Sequence, residues 1–347
     1  MPSIQLLEPA DGSTTLPLQL HKWPEDEAES TSGHIDTSFP WDEFEVLEGD
    51  RSLPRPVSFA WETTAEVPNQ EYELRISQSQ NLSEPLIIRE TTECRDDVLH
   101  LFNGTPYYWQ VSSKLGDQTV AESATWQFLT DPTTPRWLRV PGITNVRDLG
   151  GWPLPGKRRI RQGLVYRSAA MNQNLKITPE GKRVLEDVIG VRTVIDLRGL
   201  GDPEDPQPAL NSQKAQYLNI PINPYGHIND AEMREPYREI FNVFAAPSNY
   251  PIQFHCAGGA DRTGTIAFML NGLLGASMED LVRDYELTSM SINGKRSAAK
   301  SGGFNAMLDC LNALGDAEVT INEKVDRYLA SIGVTLRELD NIRSILI

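Results

Sequence analysis

The sequence predicts two domains of different fold class: an all-β sandwich, followed by an α/β domain with a central, mostly parallel sheet. The 347 residues are enough for two domains. Residues 53–130 contain short strand-like runs separated by turn residues, whereas the later part alternates apolar strands with helical patterns. Between them, the proline-containing stretch 131–135 is typical of a linker. We therefore predict domains at residues 1–133 and 134–347.

The strands of the first domain are indicated by alternation of apolar and polar residues, which is clearest in residues 57–62 and 72–77. Further candidates lie at residues 5–7, 86–88, 107–111 and 124–128. Strands at this spacing, without helical periodicity, favour an antiparallel sandwich. With Trp61 early and the aromatic run 107–111 late, the arrangement resembles a fibronectin type III domain over roughly a third of the chain.

An acidic insertion at about residues 22–52 interrupts this first domain. Residues 22–50 contain ten acidic residues and one basic residue, with four large aromatic residues among them. One interpretation is a solvated surface loop that its aromatic residues anchor. The other is a flap that leans over the second domain and restricts its entrance. Both remain open at the level of sequence.

Charge and composition limit the classes of partner. Residues 1–133 contain 7 Lys and Arg against 24 Asp and Glu, whereas the remainder contains 25 against 24. This acidic balance argues against nucleic acid as a partner and against simple adhesion to anionic membranes. No stretch approaches the roughly 18 apolar residues of a membrane span, so we expect no stable membrane insertion.

Cysteine usage and the N-terminus favour a reducing, cytoplasmic location, although a processed precursor would look the same. The first five residues lack the basic region and apolar core of a secretion signal. The three cysteines, Cys94, Cys256 and Cys310, are too few and too dispersed for a disulfide framework or a metal cluster. We expect neither a metal nor another cofactor.

The second domain contains two short segments that predict buried strands, residues 192–197 and 252–255. Helical patterns lie between and after them, at residues 179–188, 237–244, 263–274, 278–287 and 321–332. Strands alternating with helices of this length are typical of a largely parallel sheet.

The stretch from Cys256 to Arg262, here called the phosphate loop, carries the chemistry. It follows a predicted strand, contains Gly258 and Gly259, and leads into a predicted helix. Such a strand–turn–helix directs backbone N–H groups at one anion, and the helix N-terminus adds positive potential there. A cysteine in that position would react as the nucleophilic thiolate, and the arginine fork can bind two phosphoryl oxygens. The phosphate-binding residues would be Ala257, Gly258, Gly259, Ala260, Asp261 and Arg262.

This arrangement predicts hydrolysis of phosphate monoesters through a cysteinyl-phosphate. Cys256 would attack phosphorus in line, and water would then hydrolyse the phosphocysteine. The substrate would be a phosphorylated protein or a small phosphomonoester. A rhodanese-like sulfurtransferase has the nearest competing loop, but that loop is usually shorter and lacks the Arg-Thr-Gly that follows here.

Residues 255–264 resemble the His-Cys-x-x-Gly-x-Asp-Arg-Thr-Gly signature of bacterial tyrosine phosphatases of the secreted mycobacterial type. Other similar segments lie at residues 145–151, 163–168, 195–198, 284–288 and 333–336, so the resemblance covers about residues 136–347. It implies activity on phosphotyrosine, with phosphoserine or phosphothreonine and, in some relatives, phosphoinositides as further substrates. The family usually has lysine before the loop aspartate, where this chain has Ala260. We therefore expect a narrower substrate range.

The leaving group needs a proton donor within hydrogen-bond reach. Asp261, in the phosphate loop, is the candidate that the resemblance implies. Some relatives place an aspartate after the strand that corresponds to residues 217–222, but residues 222–224 here contain no acid. Asp230, a little further on, is the alternative general acid.

The remaining candidates would support the loop. Thr263 would donate to the sulfur of Cys256, cap the following helix, or do both. His255 would fix the loop by hydrogen bonds rather than act as a base. The residues expected to brace the pocket by charge-assisted bonds are Arg147, Asp148, Arg167, Asp196 and Arg198. An alternative role for Asp148 is contact with the substrate.

Two other classes of function remain open. The protein could bind a phosphorylated ligand with little turnover, with the sandwich as the functional part. The sandwich could instead recruit a protein partner or order a dimer.

Overall fold

The structure is a computed structural model that describes residues 3–18, 50–64, 70–173, 175–199, 202–203, 205–294 and 296–347. They fall into two units, one of residues 3–18 and 54–136, the other of residues 50–53 and Trp137–Ile347. Nearly all of the acidic insertion predicted at residues 22–52 lies outside the described residues. No helix within the described ranges has the length and apolar content that crossing a bilayer requires.

The regular elements described in the first unit are all strands. They are β1 (Ile4–Glu8), β2 (Ser13–Thr14), β3 (Val57–Thr63), β4 (Glu71–Ser77), β5 (Ile87–Thr91), β6 (Arg95–Val98), β7 (Pro106–Leu115), β8 (Gln118–Glu122) and β9 (Trp126–Leu129). One sheet has the order β1-β3-β6 and the other β2-β9-β7-β4-β5, with β8 paired to β7. Alternate residues of β3 are buried. The rings of Phe59 and Trp109 pack edge to face, with their centroids 5.1 Å apart. The alternating pattern in residues 57–62 therefore predicted this strand correctly.

The second unit is built on a five-stranded sheet. Its strands are β10 (Arg147–Asp148), β13 (Val165–Ser168), β14 (Thr193–Asp196), β15 (Gln216–Asn219) and β16 (Ile252–His255), in the order β10-β13-β16-β14-β15. The pairs β13–β16, β14–β16 and β14–β15 are parallel, and β10–β13 is antiparallel. A separate hairpin joins β11 (Pro153–Leu154) to β12 (Arg158–Arg159). The prediction of a mostly parallel sheet is confirmed.

Seven α-helices accompany this sheet in the described part of the chain. They are α1 (Pro179–Arg183), α2 (Arg234–Ala245), α3 (Asp261–Leu273), α4 (Met278–Glu286), α5 (Gly302–Asn312), α6 (Ile321–Ser331) and α7 (Leu336–Leu346). The helix predicted at 179–188 is only partly α-helical, because a wider helical turn begins at Val184. Helices α5 and α7 were not predicted from the sequence. A capping box between Thr335 and Glu338 opens α7, so its start was readable from the chain.

The register of the sheet determines where the chemistry lies. Ser168 at the end of β13 and Asp196 at the end of β14 are both paired with His255 at the end of β16. The carboxyl ends of these parallel strands therefore meet at one edge, which is where α/β sheets generally bind ligands. All four residues of β16 are buried, so the central strand delivers Cys256 to that edge from a rigid position.

Candidate active site

The phosphate loop turns sharply between β16 and α3, and Gly259 makes the turn possible. Its φ is +67°, in the left-handed region that favours glycine. A Cβ atom at this position would lie 2.4 Å from the carbonyl oxygen of Ser168. The loop therefore packs directly on the end of β13, and Cys256 beneath it is 3% exposed.

Side-chain donors hold the carbonyl groups of the loop from outside. Arg167 Nη2 donates to the carbonyl of Gly259 at 2.6 Å. Asn145 Nδ2 donates to the carbonyls of Gly258 and Gly259 at 3.2 and 3.1 Å. Asn293 Nδ2 donates to the carbonyl of Gly258 at 2.9 Å. The two glycine carbonyls thus point towards three donors from distant segments of the chain.

The orientation of the carbonyls fixes the orientation of the amides. The Ala257 carbonyl is held as well, by the N–H of Ala170 at 3.0 Å. In a trans peptide the C=O and the following N–H point in opposite directions, so the N–H groups of residues 258–260 face away from these anchors. Within the described chain, the N–H groups of residues 257–260 donate to no acceptor. A group of successive amides without partners, in a segment that is partly to fully buried, is suited to binding an anion.

A buried cluster of charges supports the outer side of the loop. Asp284 accepts from Arg147 Nε at 2.9 Å and from Arg167 Nη1. Burial acts to raise the pKa of Asp284, but the two guanidinium charges outweigh it and hold that pKa below its ordinary value. Burial, together with the charge of Arg167, lowers the pKa of Arg147 to about 10. Arg147 also donates to Oδ1 of Asn145, which turns the amide nitrogen of Asn145 towards the loop.

The guanidinium of Arg262 is paired with Asp202, a residue that sequence analysis missed. Nη1 and Nη2 of Arg262 each donate to one carboxylate oxygen at 2.7 Å. The hydrogen bond from Arg262 is the main cause that lowers the pKa of Asp202. This end-on pair leaves the Nε–H of Arg262 without an acceptor among the described residues, so one edge of the fork is available for a phosphoryl group. The only sequence signal for Asp202 was its position four residues after Arg198.

Of the two candidate acids, Asp261 lies in the loop and Asp230 makes no contact with it. Asp261 Oδ1 accepts from the hydroxyl of Tyr225 at 2.5 Å and lies 3.4 Å from Arg296 Nε. Asp230 instead contacts His227 Nδ1 at 2.6 Å. The turn Tyr225–Asn229 therefore directs a tyrosine, rather than Asp230, at the phosphate loop. Neither Tyr225 nor Arg296 was predicted from the sequence.

The hydroxyl of Thr263 forms neither of the two hydrogen bonds expected of it. Its Oγ1 is buried and has no hydrogen-bond partner in the described structure, so it does not contact the sulfur of Cys256. Nor does it cap α3, because the N-cap residue is Ala260 and no side chain caps this helix. Thr263 is the third residue of α3, one turn too late for a cap.

His255 and its neighbours are buried behind the loop. Its Nδ1 lies 3.4 Å from the Cys256 carbonyl oxygen and 3.8 Å from Asp196 Oδ1. Burial lowers the pKa of His255, although the charge of Asp196 partly opposes this. Asp196 also accepts from Arg198 Nη2 at 2.7 Å and from the Tyr217 hydroxyl at 2.8 Å. These contacts fit a residue that fixes the loop.

Asp148 stabilises local backbone and does not face a substrate. One carboxylate oxygen accepts from the N–H of Gly150 at 2.8 Å, and the other accepts from the N–H of Gly163 at 2.6 Å. The side chain is fully buried. Because amides hold both of its oxygens, the alternative role of Asp148 as a substrate contact does not fit its position.

The chain is similar to known proteins over part of its length. The tyrosine phosphatase family matches residues 138–347. A protein of Cupriavidus necator that carries the name of a tyrosine-protein phosphatase is 30% identical over 167 residues, which are 41% of this chain and 59% of that protein. A tyrosine-protein phosphatase of Nostoc commune is 32% identical over 59 residues, which are 17% of this chain and 20% of that protein. The chain thus spans less than two thirds of the length of either relative.

Among solved structures, the core catalytic domain of the PP-IP phosphatase SIW14 from S. cerevisiae aligns with a TM-score of 0.30 and 17% identity. That alignment covers 42% of this chain and 80% of the other. The family match extends over more than half of the chain and includes the whole phosphate loop. The chain belongs to the tyrosine phosphatase family.

Proposed function

We propose that the protein is a cysteine-dependent phosphatase that hydrolyses phosphate monoesters, phosphotyrosine above all, with phosphoserine and phosphothreonine as further substrates. One observation carries this proposal: the carbonyls of residues 257–259 are all anchored outward, which leaves the next amides facing inward beside Cys256. Fixed donors around a nucleophile are what phosphoryl transfer requires, since the charge spreads over the equatorial oxygens.

In the first step, Cys256 Sγ attacks phosphorus and forms an S–P bond while the P–O bond to the leaving group breaks. The inward amides and the Nε edge of Arg262 bind the equatorial oxygens. Asp261, in its protonated form, gives its proton to the leaving oxygen, which departs as a neutral alcohol or phenol.

In the second step, a water molecule attacks phosphorus and the S–P bond breaks. The Asp261 carboxylate accepts a proton from that water, so the acid of the first step becomes the base of the second. The products are inorganic phosphate and free Cys256. No step needs a metal or another cofactor.

Phosphoinositides and inositol phosphates are the alternative substrates. Such polyanions favour a site with several cations, and the residue before Asp261 is the small, buried Ala260. Because Ala260 stands where the family usually has a lysine, phosphotyrosine remains the preferred substrate class.

For the whole chain, we propose a fibronectin type III-like domain over residues 1–133 and a catalytic domain of the secreted mycobacterial type over residues 134–347. The two-sheet arrangement of the described strands supports the first assignment. The sandwich would bind a protein partner or a second copy of the chain, and a cytoplasmic location rests on sequence alone.

The test is hydrolysis of para-nitrophenyl phosphate by the full chain. We expect Cys256→Ser and Arg262→Ala to abolish turnover, whereas Cys310→Ser, at a half-buried cysteine outside the phosphate loop, should retain it. Turnover that survives Cys256→Ser would refute the assigned nucleophile. Tight phosphopeptide binding by the wild-type protein without any turnover would instead support a phospho-ligand binding module.

A further inference from the structure

Resting on the proposed phosphatase activity, we propose that Tyr225 and Arg296 are positioning residues for the general acid. They approach the same oxygen of Asp261, the hydroxyl at 2.5 Å and Arg296 Nε at 3.4 Å. They come from two segments far apart in the sequence, a turn after β15 and the stretch between α4 and α5. Together they fix the direction of the carboxyl group at the mouth of the phosphate loop.

Tyr225 is held in a conformation that few non-glycine residues adopt. Its φ is +64°, in the left-handed region that is strained for a residue with a Cβ atom. Its N–H donates to Thr265 Oγ1 at 3.1 Å, and its hydroxyl lies 3.0 Å from that of Tyr285. At Gly303 in α5, a Cβ atom would lie 2.6 Å from the Tyr225 ring, so only glycine admits the ring there. Strained residues that several contacts over-determine are typical of functional sites.

Arg296 is fixed as well, by a segment that also holds the phosphate loop. Its backbone N–H donates to Ser289 Oγ at 2.7 Å, and its Nη1 lies 3.4 Å from the Asn293 carbonyl oxygen. The side chain of Asn293 in turn donates to the carbonyl of Gly258. The cation beside Asp261 and one anchor of the loop are therefore only three positions apart in the chain.

The two contacts act on the form of Asp261 that remains after proton transfer. Once the carboxyl group has given its proton to the leaving oxygen, it carries a negative charge that the Tyr225 hydroxyl and Arg296 stabilise. Burial, reinforced by Asp261 itself, raises the pKa of Tyr225 far above its ordinary value. Tyr225 therefore keeps its proton and remains a hydrogen-bond donor throughout the reaction.

This role has a kinetic signature that a structural role lacks. Proton donation matters little for a good leaving group such as para-nitrophenolate and matters greatly for a poor one such as phenolate. Loss of positioning should therefore lower kcat/KM selectively for the poor leaving group. A general loss of folding or of phosphate binding would lower it equally for both.

The experiment compares kcat/KM for para-nitrophenyl phosphate and phenyl phosphate in the full chain. We expect Tyr225→Phe and Arg296→Gln each to lower the value for phenyl phosphate by about 10-fold or more, and that for para-nitrophenyl phosphate by less than about 3-fold. Adding Tyr225→Phe to Asp261→Asn should cause no further loss, because the acid is already absent. Tyr250→Phe, which removes a buried hydroxyl that donates to Phe244, is the matched control and should leave both values unchanged.

Equal losses on the two substrates, or no loss on either, would overturn the positioning role. A further loss in the double variant would do the same. Arg296→Gln alters a partly exposed side chain and so carries the test if Tyr225→Phe fails to fold. Failure of the phosphatase proposal would be distinguishable, because it would appear as turnover that persists in Cys256→Ser.

Discussion

Replacing Gly259 with alanine tests the packing of the phosphate loop directly. The added Cβ atom would lie 2.4 Å from the Ser168 carbonyl oxygen and 2.7 Å from the Ala169 nitrogen. Both are backbone atoms at the end of a central strand, so neither can move as the tip of a flexible side chain can. The loop must therefore shift by about 1 Å to restore ordinary contact, and the left-handed φ adds about 1–2 kcal/mol of strain.

The expected loss of activity follows from the role of the loop amides in binding the phosphoryl oxygens. A misplacement of about 1 Å in a catalytic group lowers rates by about 100-fold, and loss of one oxyanion donor has an effect of similar size. We therefore expect kcat/KM for para-nitrophenyl phosphate to fall by at least about 100-fold in Gly259→Ala. Inhibition by phosphate and vanadate should weaken in parallel, because the same amides bind all three anions.

Gly258→Ala is the matched control, one residue earlier in the same loop. A Cβ atom there would lie 3.2 Å from Cγ of Asn293, a side chain that can shift by a few tenths of an ångström. Because the displaced Asn293 also anchors the Gly258 carbonyl, we expect this variant to lose some activity, but at least about 10-fold less than Gly259→Ala loses. If Gly259→Ala retained as much activity as Gly258→Ala, the loop would not depend on this contact and the account of its geometry would be wrong.

Three further predictions concern the charges around the loop. Asp202→Asn should lower kcat/KM by about 10-fold to 100-fold, because the fork of Arg262 loses its only carboxylate within the described chain. Asp284→Asn should lower the free energy of unfolding in urea by about 3–5 kcal/mol, since it leaves two buried guanidinium groups without their anion. Asp326→Asn breaks a partly exposed pair outside the phosphate loop and is the control for both. It should leave kcat/KM unchanged and lower the free energy of unfolding by less than about 1 kcal/mol. Burial lowers the pKa of His255 in the folded protein below its ordinary value of 6.5. As the pH falls below about 6.5, the unfolded chain binds a proton that the folded chain does not, so the free energy of unfolding decreases. His255→Gln should remove this part of the decrease in urea titrations at successive pH values.

The phosphate loop could be read from the sequence because its working groups are contiguous. The amides that bind an anion belong to consecutive residues, and the glycines, Cys256 and Arg262 lie within seven positions. The central strand was predicted as well, from the short segment 252–255 that carries Ile252 and Phe254 directly before the loop. A site whose functional groups are consecutive in the chain can therefore be recognised from a short sequence motif.

The groups that support the loop could not be read in the same way. Asn293 and Asp202 contact the loop only because of how the chain folds, at sequence separations of 35 and 60 residues respectively. Asp230 was a reasonable alternative acid by sequence position. In the structure, the turn Tyr225–Asn229 directs the Tyr225 hydroxyl at Asp261, whereas Asp230 contacts His227. One sequence does not reveal which carboxylate reaches which guanidinium.

The two halves of the candidate site differ in how firmly they are held. Four donors from three separate segments fix the carbonyls of the loop, so its inward amides are over-determined. Among the described residues, Asp202 is the one carboxylate that accepts from the two Nη atoms of Arg262, and Nη1 also lies 3.5 Å from the Leu197 carbonyl oxygen. Substitutions at Asp202 should therefore adjust the guanidinium of Arg262, and with it the stabilisation of the transition state, while leaving the amide cradle intact. Substitutions at the anchors should damage the cradle itself, which makes the Asp202 turn the place where catalytic rate can change without loss of the fold.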